Sequence, residues 1–447
     1  MIPNVRQQRH AEYHMLPEPR KAEAMDITEH VFNKAIGVLK QNSTELGIKA
    51  SDTKYNHVWS RDSFITFLGS NMLKDPVLLE AAKNTLLTLG RSASELGMIP
   101  VRYDLDGDRP RWFFAGAVDA STWYIIGLAN LYHVTSDRSL LGETLNYAIN
   151  AYRWLRYQDA NNELLIDSQP AADWKDNTVT RSGKVMYNNI LFLMATRCIK
   201  NLCRVAGKKM PKNLDIDYDF LKKRFEDKFA PDDVLLKSGK WPNLADHDKD
   251  YITDGPKTKS GYYLSFITFN HADTHFDTFG NLLCILGGVS NPSTSKSIMY
   301  YIESNKLDDP YPISVLHPIY RYGKNMHYDK AYTKIKPPYW RNGPYSYHNG
   351  GIWPFVGGFH VIAKKKLGYA DTLQELESLA KANALVRKNG EKGFNEWLHG
   401  KTGKPKGQDG QSWNAGMYIA AYLYVVKGQD PFGFLEDWPQ PAVSGAE

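Results

Sequence analysis

Two carboxylates that are far apart in the chain each lie among aromatic residues. Asp119 precedes Trp123 at the start of an apolar stretch, and Glu396 lies between Phe394 and Trp397. Cleavage of a bond between sugars needs one proton donor and one carboxylate that handles water or the sugar carbon. Sugar rings also present apolar C–H faces that pack on Trp and Tyr. The pair of acids therefore suits hydrolysis of a glycosidic bond.

Each of the two acids also has a simpler interpretation. Asp119 could be the N-cap of the helix that follows it. A carboxyl at the mouth of an apolar helix can, however, have its pKa raised by desolvation, which is what a proton donor needs near neutral pH. Glu396 could be a solvated loop residue, but its aromatic neighbours make a base or a nucleophile credible.

Two further polar clusters could hold sugar hydroxyls. Arg61 and Asp62 are adjacent at a helix start, where one can donate and the other accept hydrogen bonds; a helix cap with a neighbouring ion pair is the alternative. Asp173, Trp174 and Lys175 lie in an acidic loop. This loop lacks the glycine and glutamate of an EF-hand calcium site. The two remaining interpretations are a sugar-binding loop and a surface loop without a function.

A glycine-rich segment adds candidates from a third region. His348 and Asn349 precede tandem glycines that permit close backbone approach, and Trp353 offers a plane for stacking. A lone histidine is more often structural, but these neighbours make a functional role equally credible. The candidate substrate-binding residues are Arg61, Asp62, Trp123, Asp173, Trp174, Lys175, His348, Asn349, Trp353, Trp397, Gln411 and Trp413.

The composition is that of an ordinary globular protein. The 447 residues are 42% hydrophobic and 23% charged, which is enough for a sizeable core. Net charge is +6, and the longest basic cluster is the three lysines at 364–366, which favours solvated helix faces over a nucleic-acid site. No run of 18 apolar residues occurs, so we expect no membrane span.

The cysteines and the N-terminal sequence bear on the compartment. Cys198, Cys203 and Cys284 are odd in number and match no metal motif, so buried free thiols are expected. Such thiols are consistent with a reducing compartment. Residues 1–20 are polar and lack an apolar signal core. We therefore expect a cytoplasmic protein, although a mature secreted form would look the same.

Helical periodicity dominates the chain and predicts about twelve helices joined by alternating short and long loops. The long loops, at 97–118, 161–183, 231–274 and 305–350, hold much of the Trp, Pro, Gly and Asp. Loops of this length usually have a function. The predicted helices are 26–41, 61–73, 77–89, 119–135, 138–157, 184–206, 216–228, 275–288, 292–304, 351–365, 369–389 and 411–427.

This loop pattern predicts an all-α fold of about six helical hairpins. Six hairpins in a ring form an (α/α)6 barrel, with the long loops on the active-site face; an irregular two-domain helical bundle is the alternative. No repeat of fixed length occurs, which disfavours a solenoid. We expect an N-terminal extension at 1–25, one catalytic domain at 26–430 and a C-terminal tail at 431–447.

These segments resemble the (α/α)6 glycoside hydrolases that include the alkaline/neutral invertases and the amylo-α-1,6-glucosidase half of glycogen-debranching enzymes. The resemblance runs from about Val58 to about Asp430. Residues 118–123 resemble the segment that bears the general acid, and residues 394–397 with 411–413 resemble the segment that bears the second carboxylate. Residues 347–354 are similar to an invertase segment, with Ile352 in place of serine. Residues 173–176 and 179–184 look more like the debranching glucosidases.

The resemblance implies roles for individual residues. Asp119 would protonate the leaving oxygen, and Glu396 would activate water with inversion, which requires the two carboxyl groups to be about 6.5–9.5 Å apart. No metal or organic cofactor is implied. The residues implied to hold the non-reducing sugar are Arg61, Asp62, Asp173, Trp174, His348 and Trp353.

The expected activity is hydrolysis of an α-linked glucosyl unit in a small saccharide, such as sucrose or an α-1,6-glucoside. One alternative is a glucosyl or mannosyl glycerate conjugate, for which Arg102 and Arg111 could bind the acid. A less favoured alternative is a sugar epimerase or isomerase that uses His271, His275 or His348. A non-catalytic sugar-binding module is disfavoured by the presence of both acids. A small saccharide is the expected partner, without nucleic acid or membrane, and the oligomeric state stays open.

Overall fold

The computed structural model describes residues 18–112, 117–176, 181–230, 252–254, 261–268, 271–325, 342–387 and 392–438, and the side chains of the first helix from residue 26 onward. Several parts of the predictions lie outside these residues. They are most of the N-terminal extension, residues 439–447 of the tail, residues 179–180 of one family-like segment, most of the predicted long loop 231–274, parts of the other three long loops, and the last two residues of the predicted helix 369–389. The division into an extension, a domain and a tail therefore stays a prediction.

Twelve α-helices occur among the described residues, and they alternate between two sets. The even-numbered helices are α2 (Ser60–Ser70), α4 (Val118–Thr135), α6 (Met186–Val205), α8 (Thr278–Leu286), α10 (Pro354–Lys366) and α12 (Ser412–Lys427). The odd-numbered helices are α1 (Glu18–Asn42), α3 (Pro76–Arg91), α5 (Arg138–Arg156), α7 (Tyr218–Phe229), α9 (Pro292–Ser304) and α11 (Thr372–Ala384). Each of the twelve predicted helices is thus confirmed.

The even-numbered helices pack against one another in sequence. Each helix contacts the next one in the series: α2 packs against α4, α4 against α6, α6 against α8, α8 against α10 and α10 against α12. The series closes because α12 packs against α2. Every residue of α2 is buried, as expected of a helix that is covered on all sides. Glycines allow the closest approach in this set: a Cβ added at Gly69 of α2 would lie 1.9 Å from the carbonyl oxygen of Gly416 in α12.

The odd-numbered helices cover this inner set. Side chains cap the starts of α3 and α9, because Asp75 accepts from the N–H of Val77 at 3.0 Å and Asn291 accepts from the N–H of Thr294 at 2.8 Å. Past α12, Trp438 stacks on Tyr132 with 5.5 Å between ring centroids. Part of the predicted tail therefore packs on the helical body.

Short strands in the loops were absent from the all-α prediction. They form a three-stranded sheet, a five-stranded sheet and three two-stranded ladders among the described residues. Strands of two or three residues are too short to show an alternating sequence pattern. They are β1 (Ser43–Thr44), β2 (Gly47–Ile48), β3 (Val58–Trp59), β4 (Arg102–Asp104), β5 (Arg109–Arg111), β6 (Asp167–Ser168), β7 (Gly183–Val185), β8 (Ile252–Asp254), β9 (Phe266–Ile267), β10 (His271–Asp273), β11 (Phe276–Asp277), β12 (Leu316–His317), β13 (Trp397–Leu398) and β14 (Pro405–Lys406).

The strand pairings bring distant loops together beside the helix starts. The orders are β3–β4–β5 and β6–β7–β9–β10–β8, and the ladders are β1–β2, β11–β12 and β13–β14. Strands β3, β7 and β11 each run directly into an even-numbered helix. Within the described part of the chain, none of the helices has the length and hydropathy required to cross a bilayer.

Candidate active site

The first turns of the even-numbered helices carry many of the polar and aromatic residues that the sequence singled out. Arg61 and Asp62 open α2, Asp119 opens α4, and Trp413 opens α12. Side-chain contacts between α2 and α4 at these positions show that the two helix starts lie at the same end of the fold. The N-terminus of a helix carries partial positive charge, which favours acidic groups there.

A cavity opens to solvent at this end of the fold. Its empty volume is about 550 Å³, a figure that includes space open to solvent. Aromatic rings and carboxylates both contribute to its wall, as a sugar requires. The lining residues are Tyr55, Trp59, Arg61, Asp62, Asp176, Tyr347, Glu396, Gln411 and Trp413.

Asp119 lies behind this wall and is fully buried. Its Oδ2 atom accepts hydrogen bonds from Nη1 of Arg61 at 2.8 Å and from the hydroxyl of Tyr187 at 3.3 Å. The N-cap of α4 is Ala117 rather than Asp119, so Asp119 is not the cap of that helix. Oδ1 of Asp119 is buried and has no hydrogen-bond partner among the described residues.

The environment of Asp119 shifts the pKa of its carboxyl upward. Burial raises its pKa, and the neighbouring Arg61 opposes that rise. A neutral carboxylic acid also tolerates a buried oxygen without a partner better than a carboxylate does. Arg61 binds Asp119 and lines the cavity, and so connects the buried acid to the open space.

Two more acids share Arg61 with Asp119. Burial raises the pKa of Asp62 to about 7, against the opposing effect of Arg61. Oδ2 of Asp176 lies 3.5 Å from Nη2 of Arg61, and 39% of the Asp176 side chain is exposed. Ionised carboxyl groups clustered around one guanidinium repel one another, which favours retention of a proton by the buried Asp62.

Glu396 also lines the cavity. Its Oε1 atom lies 3.4 Å from the hydroxyls of both Tyr55 and Tyr347, and its Oε2 atom accepts the backbone N–H of Gln408 at 3.1 Å. Gly407 makes room for this carboxylate: its φ is +70°, and an added Cβ would lie 2.3 Å from Oε2. The site therefore depends on a glycine in a left-handed conformation.

A buried ionic network lies outside the cavity wall. Nε of Arg181 donates to Oδ2 of Asp173 at 2.8 Å, and Nη1 of Arg181 donates to Asp277. Nζ of Lys175 lies 3.2 Å from Oδ1 of Asp277. Asp173 and Lys175 are thus engaged with protein partners, and neither lines the described cavity. Their predicted contact with substrate stays a prediction.

The predicted aromatic residues form a second buried layer. His348 stacks on Trp353 at 5.1 Å between ring centroids, and Trp174 meets both rings edge-on at 4.9 and 5.5 Å. Nε1 of Trp123 donates to the Tyr187 hydroxyl at 3.0 Å. None of these rings lines the described cavity. They support the wall from behind.

Some of the remaining predicted residues line the cavity, and the others make contacts within the protein. Gln411 and Trp413 line the cavity. Asn349 accepts from the N–H of Tyr320 at 2.7 Å, which is a structural role. Trp397 packs edge-on against Tyr347 at 5.8 Å.

Four residues that line the cavity were missed by the sequence prediction: Tyr55, Trp59, Asp176 and Tyr347. Three of them are within two residues of a predicted site residue, so proximity in sequence was an available signal. Tyr55 had no such signal, because its contact with Glu396 joins positions 341 residues apart.

The histidines of the isomerase alternative lie apart from the cavity. Nδ1 of His275 lies 2.8 Å from Oδ1 of Asp273, and His271 is buried in β10. Neither they nor His348 line the described cavity. The geometry does not favour acid–base chemistry by histidine at this site.

Comparison with known proteins gives a consistent result. Residues 242–428 match the sequence profile of the family described as alkaline and neutral invertase. Probable alkaline/neutral invertase D of Arabidopsis thaliana is 26% identical over 193 residues, which are 42% of this chain and 33% of that protein. The resemblance is to the alkaline and neutral invertases.

The rice relative supports the same relationship to the invertases. Cytosolic invertase 1 of Oryza sativa subsp. japonica is 25% identical over 193 residues, covering 42% of this chain and 32% of the relative. The matched segment spans about a third of the length of these curated invertases. The predicted resemblance to alkaline and neutral invertases is confirmed.

Solved structures share the fold of this invertase-like chain. A GH63 mannosylglycerate hydrolase from Thermus thermophilus in complex with glucose has a TM-score of 0.59 at 17% identity, covering 87% of this chain and 99% of that one. A bacterial glucoamylase complexed with acarbose has a TM-score of 0.55 at 14% identity, covering 91% and 57%. At this identity the likeness shows the fold.

Proposed function

We propose that this chain is an inverting glycoside hydrolase that releases an α-linked glucosyl unit from a small saccharide, of the sucrose type or an α-1,6-glucoside. One observation carries the proposal: Arg61 binds Asp119 and lines the same cavity as Glu396. In this proposal the two acids act at one site, although more than half of the chain lies between them. The resemblance to invertases supports the same chemistry.

Asp119 acts as the proton donor in this mechanism. Because this carboxyl is buried behind Arg61, the step requires Arg61 to move aside; the carboxyl then gives its proton to the glycosidic oxygen as the bond from that oxygen to the sugar carbon breaks. Burial raises the pKa of this carboxyl, which suits a proton donor. Arg61 and Tyr187, which bind Oδ2, stabilise the carboxylate that remains after the transfer.

Glu396 acts as the base. A water molecule attacks the sugar carbon from the opposite face and gives its proton to Glu396, so the product has inverted configuration. The hydroxyls of Tyr55 and Tyr347 hold Oε1 in place. The proton returns from Glu396 to Asp119 through solvent before the next turnover, which balances the reaction.

The remaining wall binds the sugar. Asp62 and Asp176 accept hydrogen bonds from sugar hydroxyls, and the rings of Trp59 and Trp413 pack against its apolar faces. Hydrogen bonds that strengthen as the ring distorts lower the barrier for bond cleavage. Gln411 supplies a further polar contact.

The proposal extends to the wider architecture. The even-numbered helices are the inner layer of a closed (α/α)6 barrel, and residues 26–430 are its catalytic domain. The order of contacts that returns from α12 to α2 supports this arrangement. The three cysteines are free and buried, which supports a cytoplasmic location.

A second candidate is the hydrolysis of a glucosyl or mannosyl glycerate. The observation that favours it is the position of Arg102, whose guanidinium carbon lies 4.8 Å from the ring centroid of Trp59 on the cavity wall. One of the solved relatives of the fold is described as a mannosylglycerate hydrolase in complex with Tris and D-glycerate.

A substrate panel tests the proposal. The protein is incubated with sucrose, isomaltose, maltose, trehalose and glucosylglycerate, and released monosaccharide is measured by chromatography. We expect release from one member, lost in both Asp119→Asn and Glu396→Gln. Interconversion of free sugars without hydrolysis would replace the proposal with an isomerase.

A further inference from the structure

We propose that the ammonium group of Lys184 occupies the cation position of a calcium-type loop at residues 159–167. The chain would thus supply from its own side chain the positive charge that Ca²⁺ supplies in such loops. We call this segment the 159–167 loop; it follows α5 and includes the first residue of β6. The inference does not depend on the proposed hydrolase function.

The sequence of the 159–167 loop has the spacing of oxygen ligands that is found in calcium loops. An EF-hand loop has side-chain ligands at positions 1, 3, 5 and 9, and position 7 contributes its backbone carbonyl. Counted from Asp159 as position 1, the later ligand positions hold Asn161, Glu163, Leu165 and Asp167. Each of the four side-chain positions therefore carries an oxygen. The glutamate that ends an EF-hand loop at position 12 is absent.

The backbone of the 159–167 loop follows the same pattern. The two carboxylate oxygens of Asp159 accept backbone N–H groups, from Glu163 at 2.9 Å and from Leu164 at 2.8 Å. Leu164 stands at position 6, where EF-hand loops have a glycine for a sharp turn. Its φ is +67°, a left-handed conformation that leucine rarely adopts. The turn is thus present without the glycine that would reveal it in the sequence.

Lys184 places its ammonium among the oxygens of this loop. Nζ donates to the carbonyl of Leu165 at 2.6 Å and to Oδ2 of Asp167 at 2.7 Å, and it lies 3.6 Å from Oδ1 of Asp159. These oxygens belong to positions 7, 9 and 1, which are ligand positions for calcium. The two shorter distances are close to the ~2.3–2.6 Å of a calcium–oxygen bond. The ammonium therefore lies where these three ligands converge.

Burial makes a cation necessary at this point. The side chains of Lys184 and Asp159 are only 6% and 2% exposed, and a buried carboxylate requires a partner of opposite charge. Nη1 of Arg156 lies 3.6 Å from Oδ2 of Asp159, and Nζ of Lys228 lies 2.9 Å from Oε2 of Glu163. Each of these two cations contacts one acid of the loop. Lys184, by contrast, reaches both aspartates.

The contact of Lys184 with the loop also joins the two ends of the segment that carries Asp176. Asp167 and Lys184 are cross-strand partners in β6 and β7, and Asp176 on the cavity wall lies between them in sequence. The described residues include no group of three or more His, Cys, Asp or Glu side chains placed to hold a metal ion. The connection should therefore be insensitive to calcium and to a chelator.

Removal of the ammonium tests the proposal by opening the position to calcium. Lys184→Ala removes the charge and leaves space, whereas Lys184→Met removes the charge but occupies the space with an apolar side chain. In EGTA, both variants should have a Tm ~3–5 °C below that of the wild-type protein, because buried aspartates lose their partner. About 10 mM calcium chloride should raise the Tm of Lys184→Ala by ~1.5–3 °C, as for a site with Kd of ~0.1–1 mM. The Tm of Lys184→Met and of the wild-type protein should change by less than ~0.5 °C.

Three controls separate a calcium site from general effects of salt and charge. Magnesium chloride at the same concentration should not stabilise Lys184→Ala, because Mg²⁺ requires a nearly ideal octahedral shell. Asp167→Ala combined with Lys184→Ala removes a ligand and should abolish most of the calcium response. Lys200→Ala is the matched control, because Nζ of Lys200 also contacts a carboxylate and a carbonyl, Asp215 at 2.9 Å and Ile216 at 2.6 Å, outside the 159–167 loop. It should show no calcium response.

An equal calcium response in Lys184→Ala, Lys184→Met and Lys200→Ala would overturn the proposal. Calcium stabilisation of the wild-type protein that is lost in Asp167→Ala would also overturn it, because the position would then accept metal beside the lysine. If Lys184→Ala does not fold, Lys184→Gln takes its place, since its amide keeps a donor and adds an oxygen ligand. Absence of a calcium response in that variant would reject the proposal.

Discussion

Nη1 of Arg61 lies 2.8 Å from Oδ2 of Asp119, and this ion pair joins the first turns of α2 and α4. Both side chains are almost completely buried. Nη2 of Arg61 also approaches Asp176 at 3.5 Å. The Arg61 guanidinium therefore contacts both Asp119, which lies behind the cavity wall, and Asp176, which lines the cavity.

Removal of the Asp119 carboxylate should affect activity and stability together. We expect Asp119→Asn to lower kcat by at least ~10³-fold, because the proton donor is lost. It should also lower the free energy of unfolding by ~3 kcal/mol, since Arg61 is left as a buried charge with a weaker partner. Product release and urea denaturation measure the two effects.

The control for Asp119→Asn is Asp371→Asn. Asp371 is half exposed and pairs with Lys364, which keeps Glu375 as a second partner. The variant should therefore keep full activity and lose less than ~1 kcal/mol of the free energy of unfolding. Full activity in Asp119→Asn would remove Asp119 from the mechanism.

Gly407→Ala should damage the site through Glu396. The added Cβ would lie 2.3 Å from Oε2, so the carboxylate must move away from the hydroxyls that hold it. We expect kcat to fall by ~10²-fold, because misplacement of a catalytic group by about 1 Å has this effect. Steady-state kinetics on the substrate identified by the panel measure it.

Gly428→Ala is a matched control for that variant. Gly428 has φ of +71°, close to the +70° of Gly407, but a Cβ there would meet no atom within 4 Å. It should show the same backbone strain, of order 1 kcal/mol, with unchanged kcat. Equal losses of kcat in both variants would mean that backbone strain, and not displacement of Glu396, explains the effect.

The two tyrosine hydroxyls on Glu396 should contribute jointly. Tyr55→Phe and Tyr347→Phe should each lower kcat by ~10-fold with little change in KM, because each removes one donor to Oε1. The fold-decrease in kcat of the double variant should be smaller than the product of the two single fold-decreases, because the two hydroxyls share one acceptor atom. The exposed Tyr157→Phe should match the wild-type kinetics.

Stability should vary with pH because of Asp62. Its pKa rises from 3.8 to about 7 on folding, so the folded protein binds the proton more tightly than the unfolded chain does. The resulting stability is present below pH 3.8 and is lost as pH rises through about 7. Between about pH 5 and pH 8 the free energy of unfolding should fall by ~2 kcal/mol on this account.

Asp62→Asn isolates that contribution. Asparagine keeps the shape but does not titrate, so the variant should gain stability relative to the wild-type protein as pH rises from about 5 to about 8. Urea denaturation at both pH values gives the comparison. Parallel pH dependence in the two proteins would show that Asp62 does not titrate in this interval.

The helices could be predicted because their signals are local. Asp75 caps α3 through the N–H of Val77, and a buried helix such as α12 is apolar in sequence. The strands could not be predicted, because two or three residues such as those of β13 carry no alternating pattern. They depend on pairing partners that a single segment does not reveal.

The sequence led to the proposal of two catalytic acids but did not predict which residues surround them. An acid beside aromatic residues drew attention to Asp119 and Glu396. The sequence did not show that Asp119 would be paired with Arg61, or that Tyr55 would reach Glu396. Nor did the sequence show that Asp176 would line the cavity while the adjacent Lys175 would lie in the buried ionic network. Only folding decides these contacts.

The configuration of the first product tests the central claim most directly. Proton NMR during cleavage of the α-glucoside identified by the panel resolves the anomer that forms before mutarotation. If Asp119 gives the proton and Glu396 activates water, β-glucose must appear first. Initial release of α-glucose would contradict the account, because it requires a covalent intermediate on one of these carboxylates.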